Sequence, residues 1–231
     1  MGMMRSSRHG ITSQEILDSM KRRIEYDHLP GYDKDAAFLK KYLVSSAGDI
    51  YISSGETDHQ VYSSLLNELE RASWNGTKIQ VMAGPIISVP DDFFAGRNQK
   101  ERKELSTIAK LAEKGKLNLY PSEVRRSQDY SIFEDVPVIN LKGSYAPGER
   151  PSGSKYIYNS WVEAAPWIMS FKEAIEGKKP VTNNFQDHFL FLTDKEIVKL
   201  KAWASNKKID VNRIDLQTCR KFWNDYTGES I

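Results

Sequence analysis

Cysteine is nearly absent from this chain: Cys219 is the only one in 231 residues, which excludes an intrachain disulfide and any cysteine-rich zinc site. It falls in an amphipathic helical pattern beside Leu216 and Phe222, where a buried, unreactive thiol is expected. No apolar run reaches the roughly 18 residues a membrane-crossing helix needs, so none is expected. The basic start, Met1 to Gly10, has no apolar segment of its own. It reads as a flexible leader over residues 1–11 rather than a signal peptide, and a cytoplasmic location is the default expectation. Charge of one sign is lacking too. Lys and Arg number 33 against 31 Asp and Glu, and a balance of +2 gives no support for a nucleic-acid partner, although a local patch stays open. There is no Gly-rich phosphate loop, no Gly-x-Ser-x-Gly elbow and no paired zinc motif. His9, His28, His59 and His188 have no metal-ligand spacing among themselves, so no metal and no cofactor are expected.

What is present suits a globular α/β chain, with 39% apolar and 11% aromatic residues at a length able to bury a core. Thr12-Ser13-Gln14-Glu15 has the form of a capping box opening a helix to about Tyr26, which His28-Leu29-Pro30-Gly31 ends. Asp33 or Asp35 caps a second helix through Leu43. Ile50 to Ser54, β-branched and preceded by Gly48-Asp49, predicts the first strand of a mostly parallel sheet. The segment Ser54 to His59 then reads as a loop, with Thr57 or Asp58 capping the next helix. Lying beyond the carboxyl end of a strand, it is also a candidate site wall, with His59 in it.

The next helix carries the stripe Val61, Leu65, Leu66 and Leu69, and Asn75-Gly76 stops it. Lys78 to Ala83 predicts the second strand. Residues 86–98 read as a long connection with an exposed Phe93-Phe94 pair. One charged helix is expected from Asn98 to Lys114, with Arg102 among its solvated cations, followed by a third strand at Leu117 to Tyr120. Two short strands turning at Glu134-Asp135-Val136-Pro137 come next, and Tyr130 and Ile132 alternate with polar neighbours in the first of them.

This order, strand-helix-strand-helix-strand and then a further strand, resembles a single half of the phospholipase D superfamily over residues 45 to 177. There the later strand carries His-x-Lys-x-x-x-x-Asp. At that spacing the His position is Gln128, the Lys position is Tyr130, and only Asp135 matches. The resemblance implies a nucleophilic His and a phosphate-neutralising Lys at these places. An amide is too weak a base to attack phosphorus, and a phenol carries no positive charge at neutral pH. The implied protein is a phospholipase D-like fold without the family's chemistry. Arg125 and Arg126, just before the degenerate motif, suit an anionic ligand by their guanidinium forks, with an ion pair to Glu123 or Glu134 as the alternative. The resemblance also implies that Ser144 or Asn159 lines the pocket.

Val162 to Ile175 resembles the family's closing helix. Gly177-Lys178-Lys179-Pro180 reads as a boundary, giving an α/β domain over 12–178 and a short strand with helices over 179–231. In the latter, Thr193-Asp194-Lys195-Glu196 is a second capping box, and Asp215-Leu216 opens a last helix with Cys219, Phe222, Trp223 and Tyr226. The fold class expected is a mixed, mostly parallel sheet flanked by helices with a small helical appendage. The functional readings are a binding module for a phosphodiester, nucleic acid foremost; an adaptor for anionic lipid or a protein partner; and a phosphodiesterase or nuclease with non-standard residues, His59 or His188 serving as nucleophile. A single motif copy implies a homodimer.

Overall fold

The computed structural model describes residues 28–29, 40, 43–44, 46–57, 59–93, 96–123, 129–134, 138–142, 154–157 and 161–228. The capping box at Thr12 and the caps proposed at Asp33 and Asp35 lie outside them. The strands are β1 (His28–Leu29), β2 (Ile50–Thr57), β3 (Ile79–Ser88), β4 (Asn118–Pro121), β5 (Asp129–Phe133), β6 (Val138–Lys142), β7 (Ser154–Ile157) and β8 (Leu190–Leu192). The helices are α1 (His59–Ser64), α2 (Leu66–Trp74), α3 (Gln99–Leu105), α4 (Thr107–Glu113), α5 (Trp161–Ile175), α6 (Asp194–Asn206) and α7 (Leu216–Thr227).

All eight strands join one mixed sheet in the order β1-β7-β6-β5-β2-β3-β4, with β8 also paired to β3. Its β2, β3, β4 and β8 ladders are parallel, whereas β5, β6, β7 and β1 are joined antiparallel. The α/β class with a mixed sheet, flanking helices and C-terminal helices is therefore the one the sequence pattern implies. Successive residues of a strand face opposite sides, and the core divides accordingly. On one side Ile50, Ile52, Ile79, Val81 and Leu119 pack against Tyr62, Leu65 and Leu69 of α1 and α2 with Ile108 and Leu111 of α4. On the other, Tyr51, Met82, Tyr130 and Ile132 meet Ala164, Ile168 and Phe171 of α5. Further along that side Ile86, Leu190 and Leu192 meet Ile197, Leu200, Phe222 and Trp223 of the C-terminal helices. Each such fully buried side chain contributes about 1.5–3 kcal/mol by leaving water.

Several elements differ from expectation. Strand β2 runs through Gly55 to Thr57, so Thr57 is no helix cap; its hydroxyl is buried and makes no hydrogen bond. Strand β3 continues to Ser88, so residues 86–88 are not part of a connection. Pro85 suggests a stop because it lacks an N–H, yet it sits where none is needed. Strand β4 pairs with β3 up to Ala83, and β8 takes over on the same strand at Ile86.

The two expected long helices are each broken. Leu65 separates α1 from α2, and Ser106 separates α3 from α4, where its hydroxyl accepts the Ala109 amide as an N-cap. Leu66, expected in the apolar stripe, is exposed. Arg102 is not a solvated cation but one of the most buried polar residues. The caps at Thr193 and Asp215 form as expected, the first as a full capping box with Glu196. Cys219 is buried, as expected, and is in no disulfide. The side chains of Phe93 and Phe94 lie outside the described residues.

Candidate functional site

The motif strand β5 lies antiparallel to β2, with Ser53 opposite Tyr130 and Ile50 opposite Phe133. Its amino end therefore sits beside the carboxyl end of β2, where α1 also begins with His59. Alternation sends Tyr130 to the side covered by α5. It is only 3% exposed, and its ring meets Trp167 edge-on at 4.9 Å. Tyr130 is thus an aromatic core position, where a cation would lose its hydration.

One residue earlier, Asp129 Oδ1 accepts the Gly55 backbone N–H at 2.6 Å. That amide is turned toward Asp129 by a register shift in β2 between Ser54 and Glu56. The shift needs a residue without a side chain across the ladder. A Cβ on Gly84 would stand 2.3 Å from the Gly55 carbonyl oxygen. Beyond the shift Glu56 pairs with Lys201 of α6 at 2.8 Å, and the Ser54 hydroxyl donates to the Glu56 carbonyl. A helix from the C-terminal segment therefore reaches this end of the sheet. Ser53 Oγ and Thr57 Oγ1 are buried without a hydrogen bond, which is uncommon for buried hydroxyls and concentrates unsatisfied polarity on β2.

Toward the other end of the same face, the Tyr51 hydroxyl lies 3.4 Å from Glu134 Oε2 and 3.5 Å from Asp49 Oδ2. Burial, then the negative charge of Glu134 and Asp49, raises its pKa well above the ordinary phenol range, so it stays a neutral donor. Burial also raises the Tyr120 phenol. Lys172 pairs with Glu134 at 3.3 Å over the Tyr51 ring.

Of the residues singled out in the sequence, the structure places Tyr130 as described and His59 by its backbone alone. Gln128, Asp135, Arg125, Arg126, Ser144 and Asn159 lie outside the described residues. His188 is exposed and follows a short 3-10 turn at Phe185–Asp187, remote in sequence from the motif strand. Asp129, Glu56 and Lys201 were not legible as a group. Gly55 and Gly84, each late in an apolar run, were the available signal for a close backbone approach, whereas nothing in the spacing links Lys201 to Glu56. Ser53 Oγ makes no hydrogen bond, so no base is paired with that hydroxyl among the described residues. Among the described residues no cluster of three or more His, Cys, Asp or Glu could hold a metal ion, and no helix is long and apolar enough to cross a membrane.

No protein-family model matches the sequence, and no curated protein sequence matches it. Solved structures similar to it include TrmBL2, an archaeal chromatin protein whose structure shows a novel mode of DNA binding. The TM-score is 0.47 at 15% identity over 73% of this chain, which spans 60% of TrmBL2. Nuc from Salmonella typhimurium, a phospholipase D family member, aligns at a TM-score of 0.45 and 11% identity over 70% of this chain and 99% of Nuc. NucT from Helicobacter pylori aligns at 0.46 and 12% identity over 69% of this chain and 99% of NucT. At these identities and TM-scores none of these likenesses assigns this chain a family or a function.

Proposed function

We propose that the chain is a non-catalytic phospholipase D-like module that holds a phosphodiester, nucleic acid foremost, at the carboxyl end of β2. The burial of Tyr130 carries this reading. The side chain at the motif's lysine position is a phenol packed on Trp167, so no cation from that position meets a transferring phosphoryl group. With Gln128 at the histidine position, no phosphohistidine can form there. Arg125 and Arg126 are the proposed phosphate contacts, with Ser144, Asn159 and His59 as further ligands. A single motif copy goes with a homodimer, for which light scattering should give twice the chain mass.

The test is a titration of DNA and RNA at two salt concentrations beside a phosphodiester hydrolysis assay. Binding should weaken as salt rises, because phosphate contacts release counterions. Arg125→Ala with Arg126→Ala should weaken it roughly tenfold, since two charge-assisted hydrogen bonds to phosphate can no longer form. Absence of binding at low salt would remove the ligand class, and hydrolysis abolished by Gln128→Ala would remove the non-catalytic reading.

A further inference from the structure

The amino ends of β3 and β4, opposite the carboxyl end of β2, carry a second feature that the proposed site does not use. Trp74, the last residue of α2, is 72% exposed, although tryptophan is highly buried on average. The Lys116 ammonium stands 5.2 Å from its ring centroid, within cation–π range. Pairing of Gln80 with Asn118 sets the turn after α2 beside the turn after α4, so residues far apart in sequence share one surface. Both turns are fixed by glycines with left-handed backbones, Gly76 at φ 85° and Gly115 at φ 65°. Arg71 and Lys78 are exposed on the first turn. On the second, Lys114 is 63% exposed along its side chain and meets Glu70 only at 3.9 Å.

Cations near helix C-termini are favoured by the helix dipole, which accounts for Arg71 and Lys114. It does not account for a tryptophan left in water among them. An exposed indole face amid Lys and Arg is the chemistry of single-strand binding, in which a base stacks on the ring and the neighbouring cations take phosphates. A duplex keeps its base faces covered and cannot use such a platform.

We infer that Trp74, with Arg71, Lys78, Lys114 and Lys116, forms a single-stranded nucleic-acid contact at the amino ends of β3 and β4. It shares its ligand class with the proposed function but occupies the opposite end of the sheet. The experiment is fluorescence anisotropy of a labelled single-stranded oligonucleotide and its duplex, titrated with the full chain across a salt series. Stacking is worth about 1–3 kcal/mol per base, so Trp74→Ala should weaken single-strand binding roughly 5- to 150-fold while sparing the duplex. Lys78→Gln with Lys116→Gln should lower the log–log salt slope by about 0.7 for each phosphate that is no longer neutralised. Arg125→Ala with Arg126→Ala, run in parallel, separates the two sites. Weaker binding with Trp74→Ala alone upholds this surface and counts against the motif end. Weaker binding with the arginine pair alone, at unchanged thermal stability of Trp74→Ala, overturns it and leaves the motif end standing. A wild-type chain that binds no oligonucleotide at low salt overturns both.

Discussion

Two ion pairs tie α6 to the rest of the fold, one to α3 and one to β2, and they differ in their surroundings. Arg102 Nη1 meets Glu196 Oε2 at 2.9 Å with both side chains 5% exposed. The same guanidinium donates to the Phe191 and Arg97 carbonyls and lies 4.3 Å from the centre of the Trp223 ring. Gln99 adds a reciprocal pair of hydrogen bonds to the Phe191 backbone. Lys201 and Glu56 are as close, at 2.8 Å, but 14% and 20% exposed, at the end of the sheet where the motif strand begins. The first pair replaces nearly all of its lost hydration with protein partners. The second keeps part of its water. One is therefore a structural clasp, and the other sets the charge at the rim of the candidate site.

The most damaging way to break this contrast is Arg102→Ala. It leaves the Glu196 carboxylate buried without its cation, in a place where burial already outweighs the pull of Arg102 and raises the carboxyl's pKa. Removing one partner of a buried pair costs about 3–5 kcal/mol, read as a lower urea midpoint. Replacing both, Arg102→Met with Glu196→Leu, should recover most of that stability, because no charge is then left without compensation. A double variant no better than the single one would mean that the backbone bonds of Arg102 and the capping bond of Glu196, not the charge pairing, carry the stabilisation.

Gly84→Ala should come next. The new methyl would meet the Gly55 carbonyl, a backbone atom that cannot rotate aside, so β2 and β3 must separate at the register shift. Overpacking of this kind costs about 1–3 kcal/mol. The lesion lies between β2 and β3, so the protein should unfold at lower urea while α3, α4 and α6 keep their amide-exchange protection relative to one another. An unchanged midpoint would show that the Gly55 bulge rearranges freely and that the Asp129 bond to it is dispensable.

Local chemistry made much of this legible in the sequence. The strand-helix-strand-helix-strand order, the hairpin after it, the stop at Asn75-Gly76 and the capping box at Thr193 all depend on neighbours in sequence, and all formed as read. What failed depends on partners far along the chain. The second strand was expected to end at Ala83, yet the change of partner from β4 to β8 lets it run on through Pro85, whose missing donor no ladder bond needs. Arg102 looked solvated amid Glu101, Lys103 and Glu104, since its partner Glu196 lies 94 residues on. Ser106 gave a capping signal that a long charged helix masked. At the candidate site β5 was readable as a strand, but the burial of Tyr130 follows from α5 crossing β5, which no spacing reveals.

The smallest expected effect sharpens the contrast most. Lys201→Met removes the cation of a partly hydrated pair, and the freed Glu56 can recover water at the rim, so the cost should be about 1 kcal/mol, nearer a surface pair than a buried one. Salt supplies the discriminating measurement. Screening acts on charges in contact with solvent and much less on enclosed ones, so the difference between wild type and Lys201→Met should shrink between low and high ionic strength. The difference between wild type and Arg102→Ala should hold across the same range. Equal salt sensitivity of the two would mean that both pairs feel the same dielectric, and the distinction between an enclosed clasp and a hydrated rim charge would fall with it.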